Sequence, residues 1–341
     1  MTHSVKYDLT IICPAYNEGD LVYQSISQII GQIAAYQILS EIIVIDDCST
    51  DNTWAELLKL KDQAKIFKTD RNSGSGGAPR NIGIDAAQGD YIIFYDIGDE
   101  LILEKLNSTL AVMKEQRLQI AVMRHEDIDL KGQVHPTPIK IFLDQAYTTN
   151  FNDTFALISN PFSWAKIYLT SWIREHRIYF GNQYSGQDKV FTWRAYLNAD
   201  SILISPDVMY QHRFFTDGRN RMTKINLRLA QSLRSIDQDV RSSFQQFGLE
   251  KIYNSRLINR DIFGILLGDN GIYKLVDNEE IFLTLDFLRE WLGELSTAGV
   301  TFVDVLDPQY SQKLKFIVDG HKAQFLYHAI GLFVRKRMES K

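Results

Sequence analysis

The chain has 341 residues, 45% hydrophobic and 23% charged, with a net charge of −5, which fits an ordinary globular core with room for a second lobe and argues against a general nucleic-acid binder. Met1 to Asp8 lacks the basic-then-apolar pattern of a secretion signal, and no run is apolar for the length of a membrane span. The two cysteines, Cys13 and Cys48, are too few for a disulfide framework and read as small buried residues, so a reducing cytoplasm is the expected setting.

Leu9 to Cys13 reads as a strand without polar alternation, the pattern of a parallel strand covered on both faces. The breaker-rich turn Pro14-Ala15-Tyr16-Asn17-Glu18-Gly19-Asp20 ends it, and Leu21, Ile26, Ile29, Ile30 and Ile33 then recur at helical spacing. Ile42 to Ile45 is a second strand, closed by the acidic turn Asp46 to Thr53, which can cap a helix over Trp54 to Leu60. Lys65 to Lys68 is a short third strand. Asn72 to Asn81 is a glycine-rich loop that is either a connector or a loop whose backbone amides can approach phosphate, and the helix Arg80 to Ala87 stops at Gly89. Tyr91 to Phe94 is a buried strand whose end carries Asp96 and Asp99, either as caps for a helix near Leu103 to Glu115 or as paired oxygen ligands for a divalent metal. The alternation predicts a Rossmann-like parallel sheet with right-handed crossovers, its polar strand ends converging on one rim.

These residues resemble the family 2 glycosyltransferases, which have the GT-A fold. The matching pieces are Pro14 to Glu18, Asp46 to Asp51, Asn72 through Gly83, Ala87 to Tyr91, and Asp96-Ile97-Gly98-Asp99. The resemblance is close over residues 1–100 and looser to Arg221. It implies a mixed sheet flanked by helices, with a GT-A domain over 1–221 (1–100 for the nucleotide sugar, 101–221 for the acceptor) and a mostly helical region over 222–341. Pro14, Tyr16 and Glu18 would line the nucleoside pocket, Asp47 would bond the base or ribose, and Arg80 and Asp96 would sit by the donor. Two departures stand out. Cys48 replaces a customary glycine, and Gly98 replaces the second aspartate of the family's Asp-x-Asp-Asp motif. Asp96 and Asp99 would then hold Mn²⁺ or Mg²⁺ with fewer protein oxygens, with His212 as a candidate third ligand. A solvated or packed histidine also fits His212.

Farther on, Pro161 to Tyr168 resembles the segment that closes the acceptor side. Phe162 reads as core, whereas for Trp164 core packing and stacking on a sugar ring both fit. Gln187-Asp188 with Phe191 resembles the Glu-Asp-x-x-Phe element, Gln187 standing in for the glutamate on the acceptor side. Asp188 would be the base that deprotonates the acceptor hydroxyl, though a helix N-terminus alone would also favour a carboxylate there. Arg213, Arg219 and Arg221 would offset charge on the leaving diphosphate. Helical spacing recurs over Leu227 to Phe247, Ile252 to Leu267 and Ile281 to Leu295. The helix Ala323 to Met338 ends in Arg335-Lys336-Arg337, which suits either an anionic membrane face or packing on its own lobe.

The expected protein is an inverting transferase that moves a sugar from a uridine-linked donor to a glycan or lipid-linked saccharide in bacterial surface-polysaccharide synthesis, at the inner face of the membrane. The alternative is a non-catalytic sugar-nucleotide-binding homologue that partners an active transferase, suggested by Gly98 and Gln187. A dehydrogenase is disfavoured because the first turn lacks Gly-x-Gly-x-x-Gly.

Overall fold

The computed structural model describes residues 7–136, 139–213, 227–257, 261, 266, 280–300, 317, 319 and 320. The chain divides into two compact units, one of residues 1–182 with 187–217 and one of residues 183–186 with 218–341.

The first unit is built on a mixed sheet. Its parallel half uses β1 (Leu9–Ala15), β2 (Ser40–Asp46), β3 (Lys65–Lys68) and β4 (Tyr91–Phe94), in the order β3-β2-β1-β4. The helices α1 (Leu21–Ala35), α2 (Thr53–Leu58) and α3 (Gly77–Ala86) are the crossovers. In α1, Val22, Ser25, Ile26 and Ile29 are the buried positions, the one-sided stripe that a 3.6-residue repeat gives. Leu9, Ile11, Ile12, Ile43, Val44 and Ile93 have no exposed surface, as the unbroken apolar runs require.

After β5 (Glu100–Leu101) and α4 (Leu106–Gln116) the sheet turns antiparallel. β6 (Ile120–Ile128) is followed by β7 (Val134–Pro136), β8 (Tyr147–Thr149), β9 (Lys166–Leu169), α5 (Thr170–Glu175), α6 (Gln187–Asn198) and β10 (Ile202–Arg213). β9 slots between β4 and β6 and runs antiparallel to both, while β10 pairs parallel with β6 and antiparallel with β5. The all-parallel expectation thus holds for β1 to β4, and the second half makes the sheet mixed. β10 carries irregularities between Ser205, Val208 and Tyr210, and its pairing of Gln211 with Glu100 brings its end to the turn that contains Asp99. The helix expected from Leu103 begins at Leu106, so neither Asp96 nor Asp99 caps it.

The second unit contains α7 (Leu227–Gln246), α8 (Glu250–Arg256) and α9 (Glu280–Thr297). Its buried polar centre is Asp237, which accepts from Arg241 Nη2 at 2.6 Å, Tyr253 Oη at 3.0 Å and Trp291 Nε1 at 3.3 Å. The expected helix Ala323 to Met338 lies outside the described residues. Among the described residues no helix is long and apolar enough to cross a membrane.

Candidate active site

The rim is assembled from the turns that end β1, β2 and β4. The first two are laced together. Asn17 N donates to Ser49 Oγ at 2.9 Å, Glu18 N to Thr53 Oγ1 at 2.8 Å and Gly19 N to Asp51 Oδ2 at 3.1 Å. Cys48 takes φ +59°, the left-handed region where a glycine would sit without strain, which explains why this turn favours the residue it lacks. Tyr16 is exposed beside these turns, and Pro14, the penultimate residue of β1, is half-buried.

Asp47 is buried and occupied. Its carboxylate accepts from Thr69 Oγ1 at 3.0 Å, Asn72 Nδ2 at 3.1 Å, Ser73 N at 2.9 Å and Ser73 Oγ at 2.8 Å. It therefore organises the glycine-rich loop, which is more than a connector. Glu18 is half-buried, and its carboxyl is pushed up to about 7, first by burial and then by Asp96, Asp51 and Asp99.

Arg80, expected by the donor, sits deeper than its sequence implies. Only 4% exposed, it pairs through Nη2 with Asp96 Oδ1, lies over the Phe180 ring at 5.4 Å, and holds Nη1 3.7 Å from Asp188 Oδ1. Burial opposes its charge, but Asp96 and Asp188 together push its ionisation above the ordinary value. A Cβ on Gly76 would come within 2.5 Å of Arg80 Nη1, so the glycine leaves the room the guanidinium fills. Asn81 fixes the other wall by a reciprocal pair with the Phe180 backbone, at 3.0 and 2.9 Å.

Asp99 is held from three sides. It accepts from Tyr210 Oη at 2.7 Å, His212 Nδ1 at 3.1 Å and Arg213 N at 2.9 Å. Burial raises its carboxyl and His212 pulls it back. Burial likewise opposes charge on His212, yet the bond to Asp99 leaves the imidazole above its usual value. Gly98 takes φ +93°, so the missing aspartate coincides with a backbone that side chains rarely adopt. With Asp96 tied to Arg80 and Asp99 tied to β10, the expected trio Asp96, Asp99 and His212 does not stand as three free ligands. Among the described residues no group of three such side chains is placed to hold a metal.

Asp188 lies in the first turn of α6, its side chain 20% exposed, and accepts from Ser163 Oγ at 3.1 Å. Burial holds its carboxyl above the ordinary range, Arg80 pulling the other way. Gln187 begins α6, half-buried against Gly77. Trp164 is 5% exposed and nearly parallel to Phe162 at 4.7 Å, Tyr210 at 4.8 Å and His212 at 5.1 Å. Its faces are taken by protein rings, so the core reading replaces the sugar platform. The Arg213 side chain is exposed, and Arg219 and Arg221 lie outside the described residues. Sequence reasoning gave no role to Ser163, Phe180 or Tyr210, because only the folded sheet brings them to Asp188, Arg80 and Asp99.

Residues 10–177 match the family model described as Glycosyl transferase family 2. The chain is 27% identical over 215 residues to the poly(ribitol-phosphate) beta-N-acetylglucosaminyltransferase TarS of Staphylococcus aureus, covering 62% of this chain and 36% of that protein. It is 29% identical over 217 residues to a poly(ribitol-phosphate) beta-glucosyltransferase of Bacillus spizizenii, covering 62% of this chain and 33% of that one. These matches span about a third of each relative's length. The crystal structure of S. aureus TarS 1–349 in complex with UDP-GlcNAc superposes with a TM-score of 0.71 at 22% identity, over 97% of this chain and 92% of that chain, which establishes the GT-A fold.

Proposed function

The chain belongs to glycosyl transferase family 2, and from that premise we propose that it is an inverting glycosyltransferase that moves a hexose or N-acetylhexosamine from a uridine diphosphate sugar to a hydroxyl of a bacterial surface glycan. The names of its relatives, which act on poly(ribitol phosphate), and a GT-A neighbour that holds UDP-GlcNAc support this donor and acceptor class. The observation that carries the reading is one buried guanidinium, Arg80, set between Asp96 on the donor turn and Asp188 on the far wall.

In this reading the nucleoside rests against Tyr16, Glu18 and the loop organised by Asp47. Asp188 takes the proton of the acceptor hydroxyl, whose oxygen attacks the anomeric carbon as the bond to the diphosphate breaks. The buried environment that raises the Asp188 carboxyl makes it a stronger base, while Arg80 keeps it ionised enough to act. Arg213, exposed at the end of β10, is available to the departing phosphates; the same role for Arg219 and Arg221, which lie outside the described residues, rests on the sequence alone. A divalent ion would supply further charge neutralisation, with Asp96, Asp99 and His212 as the residues that would hold it, and no step is routed through one. Catalysis at the inner face of the membrane is part of the same proposal.

The test has two readouts. Melting temperature is measured with UDP, UDP-glucose and UDP-N-acetylglucosamine, each with and without Mn²⁺, and transfer is followed as UDP release with poly(ribitol phosphate). UDP and at least one UDP-sugar should raise the melting temperature. Asp188→Asn should keep that shift and lose transfer by about 10²- to 10⁴-fold. Donor binding without transfer to a broad panel of acceptors would favour the non-catalytic homologue suggested by Gly98 and Gln187.

A further inference from the structure

Lys166, at the start of β9, has no exposed surface, and its Nζ donates to Asn160 Oδ1 at 3.1 Å and to the Phe162 carbonyl at 2.5 Å. The turn from Asn160 to Lys166 thus wraps around its ammonium. Ala165 within it takes φ +54°, a left-handed conformation that an alanine adopts only under tertiary constraint. The same turn presents Ser163, whose Oγ bonds Asp188 and whose carbonyl accepts from Tyr168 Oη at 3.1 Å. Tyr196 Oη holds the Asn160 carbonyl at 3.1 Å. A buried ammonium is costly, and the carboxylate whose field it feels is that of Asp188.

We propose that Lys166 is a positioning residue for the base: it clamps the 160–166 turn so that Ser163 reaches Asp188, and its buried positive charge keeps that carboxylate ionised. This rests on the reading of Asp188 as the base.

The other groups facing Asp188 are Arg80 of α3, Asp96 after β4 and Tyr168 of β9. Lys166 is faced by Asp188 and by His125 of β6. His125 is pushed down to about 3 by burial and then by Lys166, so it stays neutral and leaves the field at Asp188 to the two cations. Burial pulls the Lys166 ammonium down to about 7, against the opposing pull of Asp188. Its charge is therefore present in mildly acidic solution, where a base must be kept from taking a proton too early.

The experiment titrates the Asp188 carboxyl by carbon-13 NMR of aspartate-labelled protein, its signal identified by loss in Asp188→Asn, alongside the pH profile of transfer. Lys166→Met should raise the Asp188 midpoint by about one pH unit and move the acid limb of the rate profile with it. Asn160→Asp, which puts a carboxylate on the ammonium, should raise the midpoint too. Lys166→Arg should restore it. Should Lys166→Met fail to fold, Asn160→Asp still decides. An unchanged midpoint in every folded variant overturns the proposal and leaves Lys166 a structural residue. Full transfer by Asp188→Asn with the midpoint shifts intact overturns the base reading while the electrostatic link stands.

Discussion

The parallel and antiparallel halves of the sheet use charge in opposite ways. Around β1, β2 and β4 the acids sit on turns at strand ends, and two that face the rim, Glu18 and Asp96, remain partly open to water, the Asp96 side chain being 34% exposed, while Asp47 and Asp99 are buried by their partners. Around β9 and α6 the charges are more enclosed, with Lys166 wholly buried in its own turn and Asp188, its side chain 20% exposed, held by Ser163. The difference teaches where adaptation to a ligand resides. A half-open carboxylate can exchange water for a ligand at small cost, whereas a buried base must be placed by the fold before any substrate arrives. Arg80 belongs to both regimes and couples them.

Breaking that coupling should produce the largest effect on stability. Arg80→Met leaves Asp96 and Asp188 without their shared cation, and unfolding by denaturant should show a loss of about 2–3 kcal/mol, less than for a fully buried pair because Asp96 reaches solvent. A loss below about 1 kcal/mol would mean that the two halves are electrostatically independent.

A smaller effect is expected at Gly98, where the open half meets β10. The backbone there stands at φ +93°, and a Cβ would lie 3.2 Å from Leu21 Cδ2. Gly98→Ala should cost about 1–2 kcal/mol in the same measurement. Unchanged stability would show that this turn relaxes freely.

An effect that depends on pH sharpens the account of the open half. Glu18 holds its proton up to about 7 when folded, against an ordinary value of 4.5. Folding is therefore penalised as pH rises from about 4.5 to about 7, and the penalty is constant above that. Glu18→Gln and the parent protein should melt together near pH 4, and the variant should melt a few degrees higher at pH 8. Equal melting at both values would mean that Glu18 is not crowded by its acidic neighbours.

The same division governs what could be read from the sequence. Strands β1 to β4 and helix α1 announce themselves through local pattern, because apolar runs and helical spacing fall within short windows. So do Glu18, Asp96 and the loop around Arg80, which stand on the turns that end those elements. The antiparallel insertion of β9 was not legible, since the choice of neighbours for Lys166–Leu169 depends on segments far away in the chain. For the same reason Trp164 kept two readings until its parallel neighbours Phe162, Tyr210 and His212 were placed around it. The partners of Asp99 were not legible either, because a carboxylate in a turn is chemically open until β10 arrives to fill its lone pairs.

The position of β9 has a consequence for how the chain folds. Every residue of β4 is buried, yet until β9 docks, that strand presents a bare apolar edge. During synthesis the first four strands emerge well before Lys166, so the nascent sheet must wait with that edge unpaired, a state prone to mispairing with other chains. Closure then depends on contacts between distant segments, such as Asn81 with Phe180, 99 residues apart. The strand that delivers Lys166 toward the base is thus also the strand that ends the dangerous interval of folding, and a chain truncated before Lys166 should aggregate rather than accumulate as a nucleotide-binding fragment.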